Sequence, residues 1–299
     1  MQRKRWFDLD DPQASTPQVG IIGAPYDGSV SLRPGAAEAP ARLRSLSRTS
    51  DAYTRRGHDI GRLTVRDFGD VNAQGVADES APQEYLIDRI RKTLTGLPRE
   101  TLPILIGGDN SVSIAGIDAF AARHGQNVGI LWFDAHPDLF AAYDGNPLSH
   151  ASALRTPLDK NGLDPTKVVL LATRSFAREE VEFIRQKDVK MVTAAEWHAH
   201  SNAEVHSAIR KRFAGVDAVY IAVDIDGFDA AAAPGTGYPM PGGVSTERVF
   251  DLFDHIYETC PVKAIDLTEI APPLDIGDQT TMLGLQVILE ALGHLFSSK

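Results

Sequence analysis

Val128-Gly129-Ile130-Leu131-Trp132-Phe133 is an uninterrupted apolar run, and Asp134-Ala135-His136-Pro137-Asp138 follows it at once. A strand with one wet face alternates apolar and polar residues. A strand covered on both faces does not, and strands of parallel sheets are covered on both faces. Working outward, the same kind of short run recurs at 19–23, 63–68, 103–107, 167–172, 190–192, 218–223 and 262–267. Between these runs lie stretches of helical character at 39–46, 82–94, 111–123, 178–186, 202–213, 245–257 and 280–296. Strands alternating with helices predict βαβ units and a parallel sheet between two helical layers. The expected fold class is therefore α/β.

A chain of 299 residues can bury a large core as a single domain. We expect one domain over 18–299, preceded by a surface arm over 1–17. The polar stretch 70–83 reads as a surface loop, and the Gly/Pro-rich stretch 231–243 as an active-site loop. Lys and Arg number 30 against 40 Asp and Glu, a formal charge of −10. That balance argues against sequence-independent nucleic-acid binding and is compatible with a cationic substrate. Cys260 is the one cysteine. No internal disulfide can form, which fits a reducing, cytoplasmic setting. No apolar stretch reaches membrane-spanning length and no signal-peptide core follows the basic start.

In open parallel sheets ligands bind beyond the carboxyl ends of the strands. Beyond 128–133, Asp134, His136 and Asp138 alternate, so an extended backbone turns them to one side. Beyond 218–223, Asp224 and Asp226 do the same. A lone Asp at a strand end is usually a turn former. Two such clusters would repel one another unless a cation neutralised them, and carboxylates with an imidazole suit a divalent first-row metal. Gly107-Gly108-Asp109-Asn110-Ser111 opens a helix. A phosphate cradle is the competing reading there, weakened because no Gly-Lys-Ser/Thr follows.

The ordered set of motifs resembles the ureohydrolase family of arginases, agmatinases, guanidino-acid hydrolases and formiminoglutamases, most of all the agmatinases and guanidino-acid hydrolases. Gly23-Ala24-Pro25-Tyr26-Asp27 with Arg33-Pro34-Gly35-Ala36 is similar to its N-terminal signature. Gly107–Ser111 resembles Gly-Gly-Asp-His-Ser, and 132–138 resembles the Asp-Ala-His-x-Asp motif. Asp224–Asp229 with Ala233–Gly237, and Asp266–Pro272, resemble its two closing motifs. The resemblance implies a three-layer α/β/α domain with an eight-stranded parallel sheet. It also implies two Mn²⁺ ions and a trimer or hexamer. By it, Asp134 and Asp224 bridge the metals, His136 and Asp226 complete one site, and Asp138 belongs to the other with Asn110. A metal-bound hydroxide would attack an amidine carbon and release urea and an amine. Asp138 would manage its proton, His150 would shuttle protons, and Glu269 would pair with the substrate cation. Arg174 would be structural or near the substrate.

The chain also departs from that pattern. Asn110 stands where the family has a histidine ligand, and an amide oxygen is the weaker donor. Three outcomes stay open: a loosely held second ion, a one-metal amidohydrolase of deacetylase type, or a non-catalytic member serving as partner subunit. Tyr238 and Met240 suggest a more aromatic, less polar mouth. Leu139–Tyr143 replaces the segment that recognises the amino-acid end of arginine. The expected substrate is agmatine or a guanidino acid, with guanidine and an acylated amine also open, and Tyr238 is expected among the residues that bind it.

Overall fold

The computed structural model describes residues 4–71 and 82–296. Eight strands carry the fold: β1 (Val19–Ala24), β2 (Val65–Asp70), β3 (Leu102–Gly107), β4 (Val128–Phe133), β5 (Val168–Thr173), β6 (Lys190–Thr193), β7 (Ala218–Asp224) and β8 (Val262–Thr268). All pair in parallel, in the order β2-β1-β3-β8-β7-β4-β5-β6. The helices are α1 (Ala39–Leu46), α2 (Pro82–Thr95), α3 (Val112–His124), α4 (Arg155–Asn161), α5 (Arg178–Gln186), α6 (Ala194–Ala199), α7 (Asn202–Arg212), α8 (Thr246–Thr259) and α9 (Gln279–Phe296).

The apolar runs explain the layers. Alternate residues of each strand point to opposite faces, and the buried side chains divide accordingly. Leu131 and Phe133 of β4 join one core with Ile221 and Val223 of β7 and with α1, α6, α7, α8 and α9. Ile130 and Trp132 join the other, with Tyr220, Ala222 and α2, α3, α4 and α5. Two cores on one sheet are the three-layer α/β/α arrangement expected.

Three expectations change. β2 begins at Val65 rather than Leu63, because the Leu63 N–H bonds back to Ile60 in a turn. α4 and α6 are additional, six or seven residues long and too short to show a helical period. The start of α6 is nonetheless written in the sequence: the Thr193 hydroxyl accepts from Glu196 N–H at 3.0 Å, and the Glu196 carboxylate accepts from Thr193 N–H at 2.8 Å, a capping box. The N-terminal segment is not a free surface arm. Trp6 and Phe7 are buried in the core, and the Trp6 indole donates to Asp67 at 2.7 Å. Arg5 and Arg44 pair with the same carboxylate at 3.1 and 2.8 Å. Most of the polar stretch 70–83 lies outside the described residues.

Candidate active site at the carboxyl ends of four central strands

β3, β8, β7 and β4 are consecutive in the sheet. The chain lays down β3 and β4 first and fills the gap between them last, with β7 and β8. Whatever follows these four strands therefore meets at one place. Asp109 and Asn110 follow β3, Asp134, His136 and Asp138 follow β4, Asp224 ends β7 with Asp226 two residues on, and Thr268 ends β8 with Glu269 next.

One group is arranged as ligands would be. Asp134, His136 and Asp226 each offer an atom within 4.8 Å of the other two. His136 Nδ1 lies 3.4 Å from Asp134 and 3.2 Å from Asp226. Asp134 is fixed by its own turn, accepting from His136 N–H at 2.6 Å and from the Trp132 indole at 3.0 Å. Asp226 accepts from Ala135 N–H at 3.0 Å. Burial, then the neighbouring Asp226, pushes Asp134 up to about 7. Burial and the surrounding carboxylates hold Asp138 and Asp224 well above the ordinary range. Burial opposes a charge on His136, yet its carboxylates win and lift it to about 12. A cationic imidazole is thus the one compensating charge among these buried acids, and a divalent ion would replace it.

Asn110 occupies the other half of the cluster. Its side-chain NH₂ donates to Asp224 at 2.7 Å, Asp138 at 2.9 Å and Asp134 at 3.1 Å. Its oxygen points away and accepts from the Thr268 hydroxyl. The amide nitrogen sits among the three carboxylates that a second ion would need. In this orientation the amide is a donor to those carboxylates, and it would have to turn over to offer its oxygen to a second ion.

The remaining residues close the site from β8 and the loops. Glu269 accepts from Asn110 N–H at 2.9 Å, and its own N–H donates to Gly108 at 2.8 Å. His150 Nδ1 lies 3.8 Å from Glu269, while its Nε2 is buried without a hydrogen-bond partner. Asp138 and Glu269 both hold positive φ, 51° and 62°, conformations a non-glycine residue adopts at a cost of about 1–3 kcal/mol.

These residues line a cleft of about 240 Å³, with Tyr238, Phe140, Tyr143 and Phe176 as its aromatic part and Arg33 at the mouth. Tyr238 is partly exposed and stands edge-on to His136, ring centres 5.2 Å apart. Arg174 does not line the cleft. Its guanidinium donates to the carbonyls of Asp226, Phe228 and Met240 at 2.7, 3.1 and 2.8 Å, tying the two loops that flank the site. Gly108 packs against the backbone of Tyr26, which serves a tight turn rather than a phosphate cradle. His198 and His200 are exposed and His206 half-buried, away from the site.

Two charged lining residues escaped the sequence reading. α5 reads as a solvated charged face, yet Glu180 is buried, accepting from Leu139 and Ala177 N–H at 3.1 and 2.9 Å. Its signal is its place three residues after Ala177 at the helix start. Arg33 carries no local signal beyond its motif.

A model of the arginase family matches residues 17–293. Proclavaminate amidinohydrolase of Streptomyces clavuligerus is 33% identical over 94% of this chain and 89% of its own length. Guanidinopropionase of Pseudomonas aeruginosa is 30% identical over 96% and 89%. The solved structure of the Streptomyces clavuligerus enzyme superposes with a TM-score of 0.87 at 31% identity, covering 99% of this chain and 97% of that one. Formimidoylglutamase of Bacillus subtilis gives 0.86 at 26%, covering 99% and 94%. On sequence, fold and the order of its strand-end motifs, the chain belongs to the arginase family.

Proposed function

We propose that this protein hydrolyses a C–N bond of a linear guanidino compound that carries a carboxylate tail, releasing urea and an amine. The observation that carries the reading is the convergence of His136, Asp138, Asp224 and Asp226 with Glu269 and His150 on one cleft, with Asp134 directly behind His136 and Asp226. Asp134, His136 and Asp226, with Asp224 beside them, would hold one divalent ion, and Mn²⁺ is the ion favoured by family membership. Bound there, such an ion supplies Lewis acidity that brings the pKa of a water towards neutrality.

The chain's own residues supply the rest. Glu269 offers a carboxylate to the planar N–H fork of a guanidinium. Asp138 takes up a proton as the nucleophile attacks, and His150, with its unpartnered Nε2 at the cleft, passes a proton to the leaving amine. Tyr238, Phe140 and Tyr143 narrow the cleft and limit water. Arg33 decides the substrate class. Among the described residues it is the only guanidinium lining the cleft. Its Nε and Nη2 donate to the carbonyls of Gly237 and Thr236, which leaves Nη1 to pair with a carboxylate tail, and its charge would repel the ammonium of agmatine. Proclavaminate amidinohydrolase, guanidinopropionase and guanidinobutyrase are among the relatives, and their names are compatible with an acid.

A second reading rests on Asn110. With the second metal position taken by an amide, the protein could bind substrate without turning it over. One assay separates the two. Urea release by Mn²⁺-loaded protein is measured on guanidinobutyrate, guanidinopropionate, agmatine and arginine, before and after chelation. Turnover of a guanidino acid, lost on chelation and weaker with agmatine, is the expected result. No urea from any of them, with metal bound, favours the second reading. Agmatine as the preferred substrate would remove the role given to Arg33.

A further inference from the structure

Outside the cleft, α8 and α9 pack together beneath the turn at 54–58. Asp254, Tyr257 and Glu258 stand on α8. Glu290 and His294 stand on α9, four residues apart and so on one face. An atom from each of Asp254, Glu290 and His294 lies within 4.8 Å of the other two. Ligands bound at about 2.0–2.2 Å to one ion lie at comparable separations.

Each carboxylate accepts its hydrogen bonds through one oxygen; the other has only an ion-pair neighbour, His294 Nε2 at 2.8 Å for Asp254 Oδ1 and Arg55 Nε at 3.8 Å for Glu290 Oε2. Asp254 Oδ2 accepts from Arg55, and Arg56 pairs with it at 2.8 Å. Glu290 Oε1 accepts from Arg55 N–H at 2.6 Å and from Gln286 at 2.5 Å. Left over are Asp254 Oδ1, Glu290 Oε2, His294 Nε2 and the Tyr257 hydroxyl, all buried and all without a hydrogen-bond partner. The side chains of Asp254, Glu290 and His294 are only 3, 1 and 6% exposed. His294 Nε2 lies 2.8 Å from Asp254 Oδ1, at bonding distance, yet makes no hydrogen bond to it. Its other nitrogen faces Glu258 at 3.6 Å.

Four orphaned polar atoms in one buried place are costly unless something neutralises them. Two carboxylates and an imidazole are a ligand set for a first-row divalent ion, with the Tyr257 hydroxyl beside them. A carboxylate behind the second imidazole nitrogen is how metal-bound histidines are usually held. We propose that Asp254, Glu290 and His294 bind one divalent transition-metal ion of the zinc class, a structural site separate from the active site that fastens the 54–58 turn to α8 and α9. The proposal does not depend on the activity proposed above.

The test uses the full chain with the active-site ligands removed, His136→Ala with Asp226→Asn. This protein is loaded with Zn²⁺, gel-filtered and assayed for metal by mass spectrometry. About one equivalent is expected to remain, and Zn²⁺ is expected to raise the melting temperature. Adding His294→Gln, or separately Glu290→Gln, should abolish both while circular dichroism still shows a folded chain. With Co²⁺, the visible absorption of a nitrogen- and oxygen-bound ion should vanish in the same variants. Glu258→Gln should weaken binding about 10–100-fold, as loss of a carboxylate behind a histidine ligand does. Absence of metal from the His136→Ala, Asp226→Asn protein would overturn the proposal. So would retention of metal, and of the rise in melting temperature, by the Glu290→Gln variant. The cluster would then be an ion-pair latch built from His294, Arg55 and Arg56.

Discussion

At the scale of single residues, Asn110 and His150 set the questions. The Asn110 amide meets three carboxylates with one NH₂ group, so a side chain that ligates instead of donating should change metal content. Asn110→His is expected to add one equivalent of Mn²⁺ to the active site, read by metal analysis in a His294→Gln background. Unchanged content would show that the cluster is built around the amide. His150 approaches Glu269 without a close bond and leaves Nε2 free. If it moves a proton, His150→Asn should lower kcat by about 10²–10⁴ with little change in KM. A loss confined to KM would make it a binding residue. Most of this site is legible in the sequence, because metal-ligand chemistry is local. Asp134-x-His136-x-Asp138 and Asp224-x-Asp226 need only an extended strand end to converge. Glu180 and Arg33 are marked only by a place at a helix start and by a motif, and that each reaches the cleft follows from tertiary packing alone. The orientation of the Asn110 amide is hidden for the same reason: its oxygen is claimed by Thr268, 158 residues away.

At the scale of elements, the turn after β3 carries more than its own shape. A Cβ on Gly108 would lie 1.7 Å from the Tyr26 carbonyl oxygen, a backbone atom that cannot step aside cheaply. The Gly108 carbonyl accepts from Glu269 N–H, and the next residues are Asp109 and Asn110. Gly108→Ala is expected to cost about 1–3 kcal/mol in a urea melt. It should also raise KM for the guanidino substrate, since Glu269 moves with the turn. Loss of stability with unchanged KM would separate the turn from Glu269. The strands are read correctly from the sequence because apolar runs report burial on both faces. The short helices are missed because one or two turns leave no period, and β2 is misplaced because a turn hydrogen bond at Leu63 competes with the ladder. Ala172 at φ 73° marks a bulge in β5 that the continuous apolar run conceals; just beyond it, Arg174 and Ser175 N–H both meet the Ala135 carbonyl.

At the scale of the whole molecule, the N-terminal segment belongs to the core it was expected to lie outside. The basic start and the acidic turn that follows suggest solvent, but Trp6 is buried and held by Asp67. Burial works against the charge on Asp67. Arg44 and the Trp6 indole outweigh it and keep the carboxyl below its ordinary 3.8. A depressed carboxyl stabilises the fold fully above the unfolded pKa, about 3.9, and that contribution fades as pH falls through the lower native value. Asp67→Asn is therefore expected to cost about 3 kcal/mol at pH 7 and progressively less below pH 4, read from urea melts of both proteins. A penalty independent of pH would assign the loss to packing of Trp6 instead.

The strand order has a consequence for synthesis. β7 and β8 stand between β3 and β4, yet they are the last strands made, 218–224 and 262–268 against 102–107 and 128–133. A ribosome that has released the first two hundred residues has produced both outer halves of the sheet and none of its middle. Asp134 and His136 then wait without Asp224, Asp226 or Glu269, on strand edges that have no neighbour. Such edges invite pairing with other chains. The protein should thus lean on chaperones until its final quarter emerges, and the active-site ion proposed above would bind only after that, in one late step.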